Sequence, residues 1–141
     1  GLDPVNFSDA CVGILAQRLI RTLCQHCKTP YSASDKDKAF ITRQYGTKHI
    51  HELALSDDLI LHRAQGCHKC GDTGYQGRTG VHELLRMTLP LRSLVYRQAA
   101  VHELAAQATQ DGMRTLIQDG IYKVIKGDTD ITQVQVLGGV E

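Results

Sequence analysis

Four of the five cysteines form two CxxC pairs, Cys24 with Cys27 and Cys67 with Cys70, and the 39 residues 28–66 separate them. Each pair places two sulfurs on one tight turn, so both sulfurs can bind the same ion. Two such turns supply the four thiolates that tetrahedral zinc prefers. Glycines at positions 66, 71 and 74 give the second turn the backbone freedom to direct amides toward sulfur. The pattern therefore predicts a structural zinc site with the ligands Cys24, Cys27, Cys67 and Cys70.

Two other interpretations of these cysteines stay open at this point. Disulfides in an oxidising compartment use the same residues, and so does an iron centre, either rubredoxin-like or an iron–sulfur cluster. The spacer is also longer than the roughly 15–20 residues of common double-CxxC zinc patterns. Redox catalysis is not expected, because it usually needs one CxxC motif that opens a helix in a thioredoxin-like setting.

The residues around the CxxC pairs have simpler interpretations. Cys11 is predicted to be a small buried apolar residue on a helix. His26 and His68 lie inside the pairs and are predicted to be exposed spacers. Four thiolates and one zinc ion add a net −2, which changes the formal charge of the chain from +1 to −1. Basic residues close in sequence are expected to neutralise part of this charge: Arg18, Arg21, Lys28 and Lys69.

Composition and missing motifs exclude several functions for this chain. With 16 Lys and Arg against 15 Asp and Glu, it lacks the basic excess that nucleic acids and anionic membranes require. No apolar run approaches the roughly 20 residues that span a bilayer. The sequence contains no GxxxxGK[ST], HExxH, GxSxG or GxGxxG motif. Because protein thiolates would fill every metal position, we predict no catalytic residue, no cofactor-binding residue besides the metal ligands, and no enzyme activity for this chain alone.

Residues 1–23 are predicted to contain one helix, which leads directly into the first CxxC pair. Asn6 or Ser8 can cap it, and its apolar residues follow three- and four-residue steps, so one stripe packs inward. The stripe consists of Val12, Leu15, Leu19 and Leu23. The start of the chain has neither a signal peptide nor an initiator Met, and it is interpreted as that of a fragment or a processed chain.

Residues 24–86 are predicted to form a metal module with an insert. A helix starts at residues 32–35 and ends at Gly46, a loop covers 47–58, and a short strand covers 59–63. The glycine-rich segment 74–85 predicts a tight hairpin followed by a returning strand. Such a module has little core of its own, so metal binding is expected to supply much of its stability.

Residues 87–141 are predicted to be helical. A start signal at 88–90 precedes two short amphipathic helices, and a break follows at 111–113. A further helix ends at Gly127, and a last one covers 130–137. The predicted fold class is α+β and mainly helical, with a small tetracysteine zinc module of short β-hairpins packed with a C-terminal helical subdomain.

Three segments resemble the motifs of one family, the E-type ATPases of type II secretion and type IV pilus assembly. Residues 16–27, AQRLIRTLCQHC, are similar to its AQRLxRxLCxxC signature. Residues 66–85, GCHKCGDTGYQGRTGVHELL, are similar to its GCxxCxxTGYxGRxGxxELL segment. Residues 112–129, GMRTLIQDGIYKVIKGDT, resemble its GMxTLxxDGxxKVxxGxT stretch. The resemblance spans essentially the whole chain, in the order of the family.

The resemblance implies the C-terminal part of a hexameric RecA-like ATPase, cytoplasmic and peripheral to the bacterial inner membrane. Residues 1–23 would be the closing helix of the RecA-like domain, 24–86 the tetracysteine zinc subdomain and 87–141 the C-terminal helical subdomain. Structural Zn²⁺ would bind in this chain. ATP and Mg²⁺ would bind only in the upstream part of the full-length ATPase, which is called the parent below. The implied partners are the inner-membrane platform protein and the other subunits of the hexamer, and no nucleic acid.

The role implied for this chain is structural and coupling rather than catalytic. Among its charged motif residues, Arg78 is interpreted as a hairpin anchor or a contact across subunits, and Arg18 has no assigned role. The alternative function is a freestanding zinc-ribbon module that binds protein or nucleic acid. That alternative predicts basic and aromatic surface beside the CxxC pairs, and the near-neutral charge and scarce aromatics argue against it.

Overall fold

A computed structural model describes residues 3–138, and this part of the chain has an α+β fold. Its helices are α1 (Pro4–Ala10), α2 (Asp35–Tyr45), α3 (Leu89–Tyr96), α4 (Val101–Gln110), α5 (Leu116–Lys126) and α6 (Ile131–Val136). Its strands are β1 (Gly13–Leu23), β2 (Thr29–Ser32), β3 (Ile60–Arg63) and β4 (Tyr75–Arg86). Short 3-10 helices cover Ile50–Leu53 and His68–Cys70. Residues 1–2 and 139–141, which the predicted segments 1–23 and 87–141 include, lie outside the described residues.

The described chain divides into two compact units. Unit 1 comprises residues 3–16 and 82–115, and unit 2 comprises residues 17–81 and 116–138. The assignment of 1–23, 24–86 and 87–141 to three functional domains stays a prediction. Within residues 3–138, no helix is long and apolar enough to cross a bilayer.

Unit 1 contains three helices, and two of them, α1 and α3, begin at a residue whose side chain caps the helix. Asp3, and not the predicted Asn6 or Ser8, caps α1 by accepting a hydrogen bond from the Val5 N–H at 3.0 Å. Thr88 caps α3 with a proline in the first turn, which confirms the predicted start. Helix α3 packs against both α1 and α4.

Unit 2 has a continuous apolar core to which α2, β3, α5 and α6 all contribute. Its buried residues are Phe40, Ile41, Tyr45, Leu59, Leu61, Ile121, Val124 and Val134. Ser34 caps α2 reciprocally with Asp37, and the helix ends at Gly46, as predicted. Strands β2 and β3 pair antiparallel, from Thr29 opposite Arg63 to Ser32 opposite Ile60.

The predicted single helix over residues 1–23 is wrong beyond Ala10, because the chain continues as strand β1, which pairs with β4. At one end of this pair the Cys24 N–H donates to the Gly74 C=O at 2.9 Å. At the other end the Met87 N–H donates to the Val12 C=O at 3.0 Å. The two strands therefore run antiparallel.

The predicted inward stripe fails with that helix. Val12, Leu15 and Leu19 are exposed, whereas Ile20 and Leu23 are buried. Successive side chains of a strand point to opposite faces, so steps of three and four residues do not stay on one side. The partner strand, more than 50 positions away, decides the conformation of this segment.

The tight hairpin predicted within residues 74–85 is also wrong, because residues 75–85 all belong to the single strand β4. Gly77 has a φ of +82°, and a Cβ there would lie 3.2 Å from Thr22 Oγ1 on β1. The Thr22 hydroxyl donates to the Gln76 C=O beside it. Gly77 thus allows β1 to approach closely and makes no turn. The α+β class with antiparallel strand pairs is confirmed, but neither pair is a tight hairpin.

We expect Gly74→Ala to destabilise the chain more than Gly71→Ala. Both glycines have positive φ, +82° and +64°, but only Gly74 is crowded, since a Cβ there would lie 2.5 Å from the Cβ of Ala64. Gly71→Ala should lower the free energy of unfolding by about 1–2 kcal/mol through backbone conformation alone. Gly74→Ala adds a steric clash to that loss. Chemical denaturation of both variants measures the difference, and equal losses would contradict the close packing at Gly74.

Candidate metal centre

The structure brings together all four predicted cysteine ligands. The first CxxC turn, here called the first knuckle (residues 24–27), follows β1, and the second knuckle (residues 67–70) precedes β4. The four Sγ atoms lie within 4.8 Å of one another. The Sγ–Sγ distances are 3.9 Å for Cys24–Cys67, 3.9 Å for Cys27–Cys70 and 3.8 Å for Cys67–Cys70.

These spacings fit four thiolates around one zinc ion. Zinc–sulfur bonds of about 2.3 Å in a tetrahedron place the sulfurs about 3.8 Å apart. A disulfide needs about 2.05 Å, and all five cysteines are free. Cys24 is buried and the other three are partly buried. Within residues 3–138, this is the one group of His, Cys, Asp and Glu side chains arranged to hold a metal.

Each knuckle is a tight turn closed by backbone hydrogen bonds. In the first knuckle, the N–H groups of Cys27 and Lys28 donate to the Cys24 C=O at 3.3 and 2.9 Å. In the second, the N–H groups of Cys70 and Asp72 donate to the Cys67 C=O at 3.2 and 2.8 Å. Both knuckles therefore fix their two sulfurs through local backbone geometry.

Backbone N–H groups also point at two of the sulfurs. The Gly66 N–H donates to Cys27 Sγ at 3.3 Å, and the N–H groups of Cys67 and Gly74 each donate to Cys70 Sγ at 3.2 Å. Such hydrogen bonds favour the ionised thiolate. Gly66 has a φ of +108°, and a Cβ there would lie 2.9 Å from the Asp72 carbonyl oxygen, so its close approach requires glycine.

The thiols of the cluster differ in acidity. Burial raises the pKa of the Cys27 thiol to about 11, against the lowering effect of the Gly66 N–H. Burial also acts to raise the pKa of Cys70, but hydrogen bonds from the Cys67 and Gly74 N–H groups and from neighbouring thiols outweigh it and lower the pKa to about 6. Cys70 therefore ionises more readily than Cys27.

The predictions for His26 and His68 are confirmed, whereas the prediction for Cys11 is wrong. His26 and His68 are exposed, as predicted. Cys11 is not buried on a helix, because α1 ends at Ala10 and Cys11 is the half-buried residue that follows it. Its Sγ lies 3.6 Å from the Gly13 carbonyl oxygen, and it is not a member of the four-cysteine group.

The nearby basic residues make their contacts elsewhere. The Arg21 guanidinium lies over the Tyr75 ring, 4.5 Å from its centroid, and Lys28 Nζ donates to the Gly127 C=O at 3.0 Å. Arg18 and Lys69 are exposed. Arg78 is exposed on β4, and its interpretation as a hairpin anchor fails with the hairpin.

Two contacts beside the cluster are not predicted from the sequence. Gln76 Oε1 lies 3.8 Å from Cys24 Sγ. The Tyr75 hydroxyl donates to Asp130 Oδ2 at 2.5 Å. Burial, followed by the hydrogen bond to Asp130 and its negative charge, raises the pKa of Tyr75 to about 12. The helix-capping position of Asp130 is a local signal, but no spacing rule connects it with a tyrosine 55 positions away.

Comparisons with known proteins agree on one family. The sequence model described as Type II/IV secretion system protein matches residues 1–136. The chain is 39% identical over 136 residues to the type II secretion system ATPase E of Vibrio cholerae. It is 34% identical over 138 residues to the type IV pilus assembly ATPase PilB of Thermus thermophilus, and 34% identical over 134 residues to the type II secretion system protein E of Pseudomonas aeruginosa.

These alignments cover most of this chain but little of each relative. Each covers 95% of the chain, and 24%, 14% and 24% of the three relatives in the order given. The chain thus spans less than a quarter of the length of these curated relatives. Because the family match includes both knuckles and extends to the end of α6, the chain belongs to the type II/IV secretion system protein family.

Proposed function

We propose that this chain is the zinc-containing C-terminal part of an ATPase that powers type II secretion or type IV pilus assembly. Its role there is structural and coupling rather than catalytic. The convergence of the four cysteines, in a chain of this family, carries the proposal. The ATP and Mg²⁺ sites of the parent, its hexameric assembly, its position at the cytoplasmic side of the inner membrane and its contact with the platform protein are part of the same proposal.

The four thiolates would hold one zinc ion in a closed tetrahedral site, which supplies structural stability and no open position for a substrate or water. The two knuckles enclose 39 residues, which include α2 and β3. Metal binding at such a site adds directly to the free energy of folding, because the unfolded chain has no preformed site. This contribution of metal binding to folding supports a scaffold role for the two knuckles and the residues between them.

A coupling role needs rigid connections between the cluster and the rest of unit 2. The segment between α5 and α6 provides several of them. The Leu23 N–H donates to the Asp128 C=O at 2.9 Å, and Thr129 Oγ1 donates to the Arg21 C=O at 2.8 Å. Thr129 is fully buried, so water does not compete for its hydroxyl. The strand that enters the first knuckle is therefore tied to the C-terminal helices.

The strand that leaves the second knuckle is tied to α6 in a similar way. Tyr75, its first residue, donates to Asp130, and Asp130 caps α6 by accepting from the Gln133 N–H at 3.2 Å. Gln133 Oε1 in turn accepts from the Arg21 N–H at 3.0 Å. Asp130 and Gln133 are 7% and 8% exposed, and hydrogen bonds to a buried carboxylate are stronger than surface ones. This network supports the proposal that motion passes between the cluster and α6.

The purified chain is expected to contain one zinc ion, measured by elemental analysis under reducing conditions. Cys67→Ser should lose most of the zinc, because three thiolates hold a structural ion much less tightly than four. Cys11→Ser is the matched control and should keep it, since Cys11 lies outside the cluster. A coloured, iron-loaded chain, or equal zinc in both variants, would contradict the proposed site.

The parent protein tests the function itself. The gene is expected to encode a GxxxxGK[ST] loop upstream of Gly1, and its product should hydrolyse ATP. Cys67→Ser in that protein should reduce secretion or pilus assembly more than it reduces ATP hydrolysis, because the cluster transmits motion and performs no catalysis. Cys11→Ser again serves as the control. A parent without the loop, or a Cys67→Ser parent with unchanged secretion and piliation, would refute the proposal.

Tyr75→Phe is expected to loosen the connection between β4 and α6. The substitution leaves the buried Asp130 carboxylate without its phenol donor, which should lower the free energy of unfolding by about 1–3 kcal/mol. Tyr122→Phe, at a residue 49% exposed, is the matched control and should change it little.

The same pair of variants has a pH signature. Tyr75 has a pKa of about 12 in the folded chain against about 10 when unfolded, so its contribution is complete below pH 10 and is lost as the pH rises toward 12. An absorbance titration of phenolate should therefore show one tyrosine fewer ionising near pH 12 in Tyr75→Phe than in the original chain. The same number of tyrosines ionising near pH 12 in both chains would contradict the assignment.

A further inference from the structure

The four sulfurs of the cluster do not share hydrogen-bond donors equally. Cys27 Sγ accepts from one backbone N–H and Cys70 Sγ from two. Cys24 is the most deeply buried of the four, with none of its surface exposed. In the part of the chain that the structure describes, its Sγ accepts no backbone N–H, and its polar contacts are with the thiols of Cys27 and Cys67 and with the side-chain amide of Gln76.

A metal-bound cysteine is a thiolate, which accepts hydrogen bonds and donates none. The amide oxygen of Gln76, 3.8 Å from Cys24 Sγ, would then face a negative charge. Rotation of the amide about its last side-chain bond exchanges oxygen and nitrogen, so the same position can present Nε2–H to the sulfur. A buried thiolate without a donor is costly, and this rotation removes the cost.

The backbone holds Gln76 in place for this contact. Its carbonyl accepts from the Thr22 hydroxyl on β1, and two residues earlier the Gly74 carbonyl accepts from the Cys24 N–H. Gln25 is the other amide side chain next to Cys24, but its Nε2 donates to the Leu23 C=O at 3.3 Å. It is therefore engaged with backbone and not with sulfur.

We infer that Gln76 is a positioning residue of the metal centre, whose side-chain amide donates an N–H···S hydrogen bond to the Cys24 thiolate. This inference rests on the proposed zinc site. The hydrogen bond supplies Cys24 with the donor that the backbone provides to Cys27 and Cys70. It also offsets part of the net charge of −2 that four thiolates and one zinc ion carry. Arg21 and Lys28 do not serve this purpose, because their charged groups contact the Tyr75 ring and the Gly127 carbonyl instead.

Zinc affinity measured by competition with a chromophoric chelator tests the inference. Gln76→Met keeps the length of the side chain and removes the N–H donor, and we expect zinc to bind about tenfold more weakly. Gln76→Glu places a carboxylate beside the anionic cluster, and we expect a loss of about 100-fold. Gln25→Ala is the matched control and should change affinity by no more than about twofold. Gln76 is exposed, so its replacement leaves the buried core intact.

Two spectroscopic measurements separate a hydrogen bond to sulfur from a general structural effect. In the Co²⁺-loaded chain, the sulfur-to-metal charge-transfer bands should move to longer wavelength in Gln76→Met, because the sulfur loses a donor. The bands should not move in Gln25→Ala. With an NMR-active cadmium isotope in the site, a scalar coupling should connect the metal with a side-chain amide proton of Gln76.

The outcomes distinguish this inference from the proposal on which it rests. A chain that binds zinc, but whose affinity and cobalt spectrum are the same in Gln76→Met as in the original, overturns the role of Gln76 alone. A chain that binds no zinc, cobalt or cadmium overturns the proposed metal site and this inference with it. Weaker zinc binding in Gln76→Met, together with the shifted bands and the cadmium coupling, supports the inference.

Discussion

The meeting of two knuckles that are 39 residues apart is the constraint on which the rest of the structure depends. Closing a flexible loop of this length is unfavourable by about 3 kcal/mol from its length alone. The first knuckle connects β1 to β2, and the second connects β3 to β4. Strand β1 pairs with β4, and β2 pairs with β3. The strands that enter and leave one knuckle thus pair with those of the other, so the strand pairing itself brings the four sulfurs together.

Neither the strand pairs nor the cysteines suffice alone. Strands β2 and β3 are four residues long, and a two-stranded pair of that length is marginal in water. Leu61 on β3 is buried in a core with α2 and α5, which adds apolar burial to the ladder of hydrogen bonds. A metal ion held by four thiolates would bind only the folded arrangement, so its binding energy would stabilise the strands as well. The insert between the knuckles is therefore part of the scaffold, because it supplies the core that the knuckles lack.

Local signals made part of this structure predictable from sequence. The spacing of each CxxC pair predicts the four residues that converge, and Ser34 and Gly46 predict the limits of α2. Strand β1 was not predictable, because its leucines and isoleucines fit a helix as well and its partner lies more than 50 positions away. Gly77 indicates an unusual backbone position, but a glycine is equally typical of a turn and of a close approach between two strands.

The electrostatics of the candidate site were less predictable for a different reason. The sequence predicts that basic side chains near the cysteines neutralise the cluster, yet Arg21 stacks on an aromatic ring and Lys28 binds a backbone carbonyl. The donors that reach sulfur are instead backbone N–H groups at positions 66, 67 and 74. Every residue except proline carries such a group, so only the path of the backbone decides which of them point at a thiolate.

This choice of donors has a mechanical consequence. A lysine or arginine at the end of a flexible side chain neutralises a cluster without fixing it, whereas a backbone N–H can do so only where the chain holds its path. The positive φ angles of Gly66 (+108°) and Gly74 (+82°) direct the backbone so that these N–H groups lie within hydrogen-bonding distance of sulfur. Stabilising the thiolates through backbone donors therefore also stiffens the turns that carry them. Such stiffness is what the proposed coupling role requires, because a flexible segment would not transmit motion.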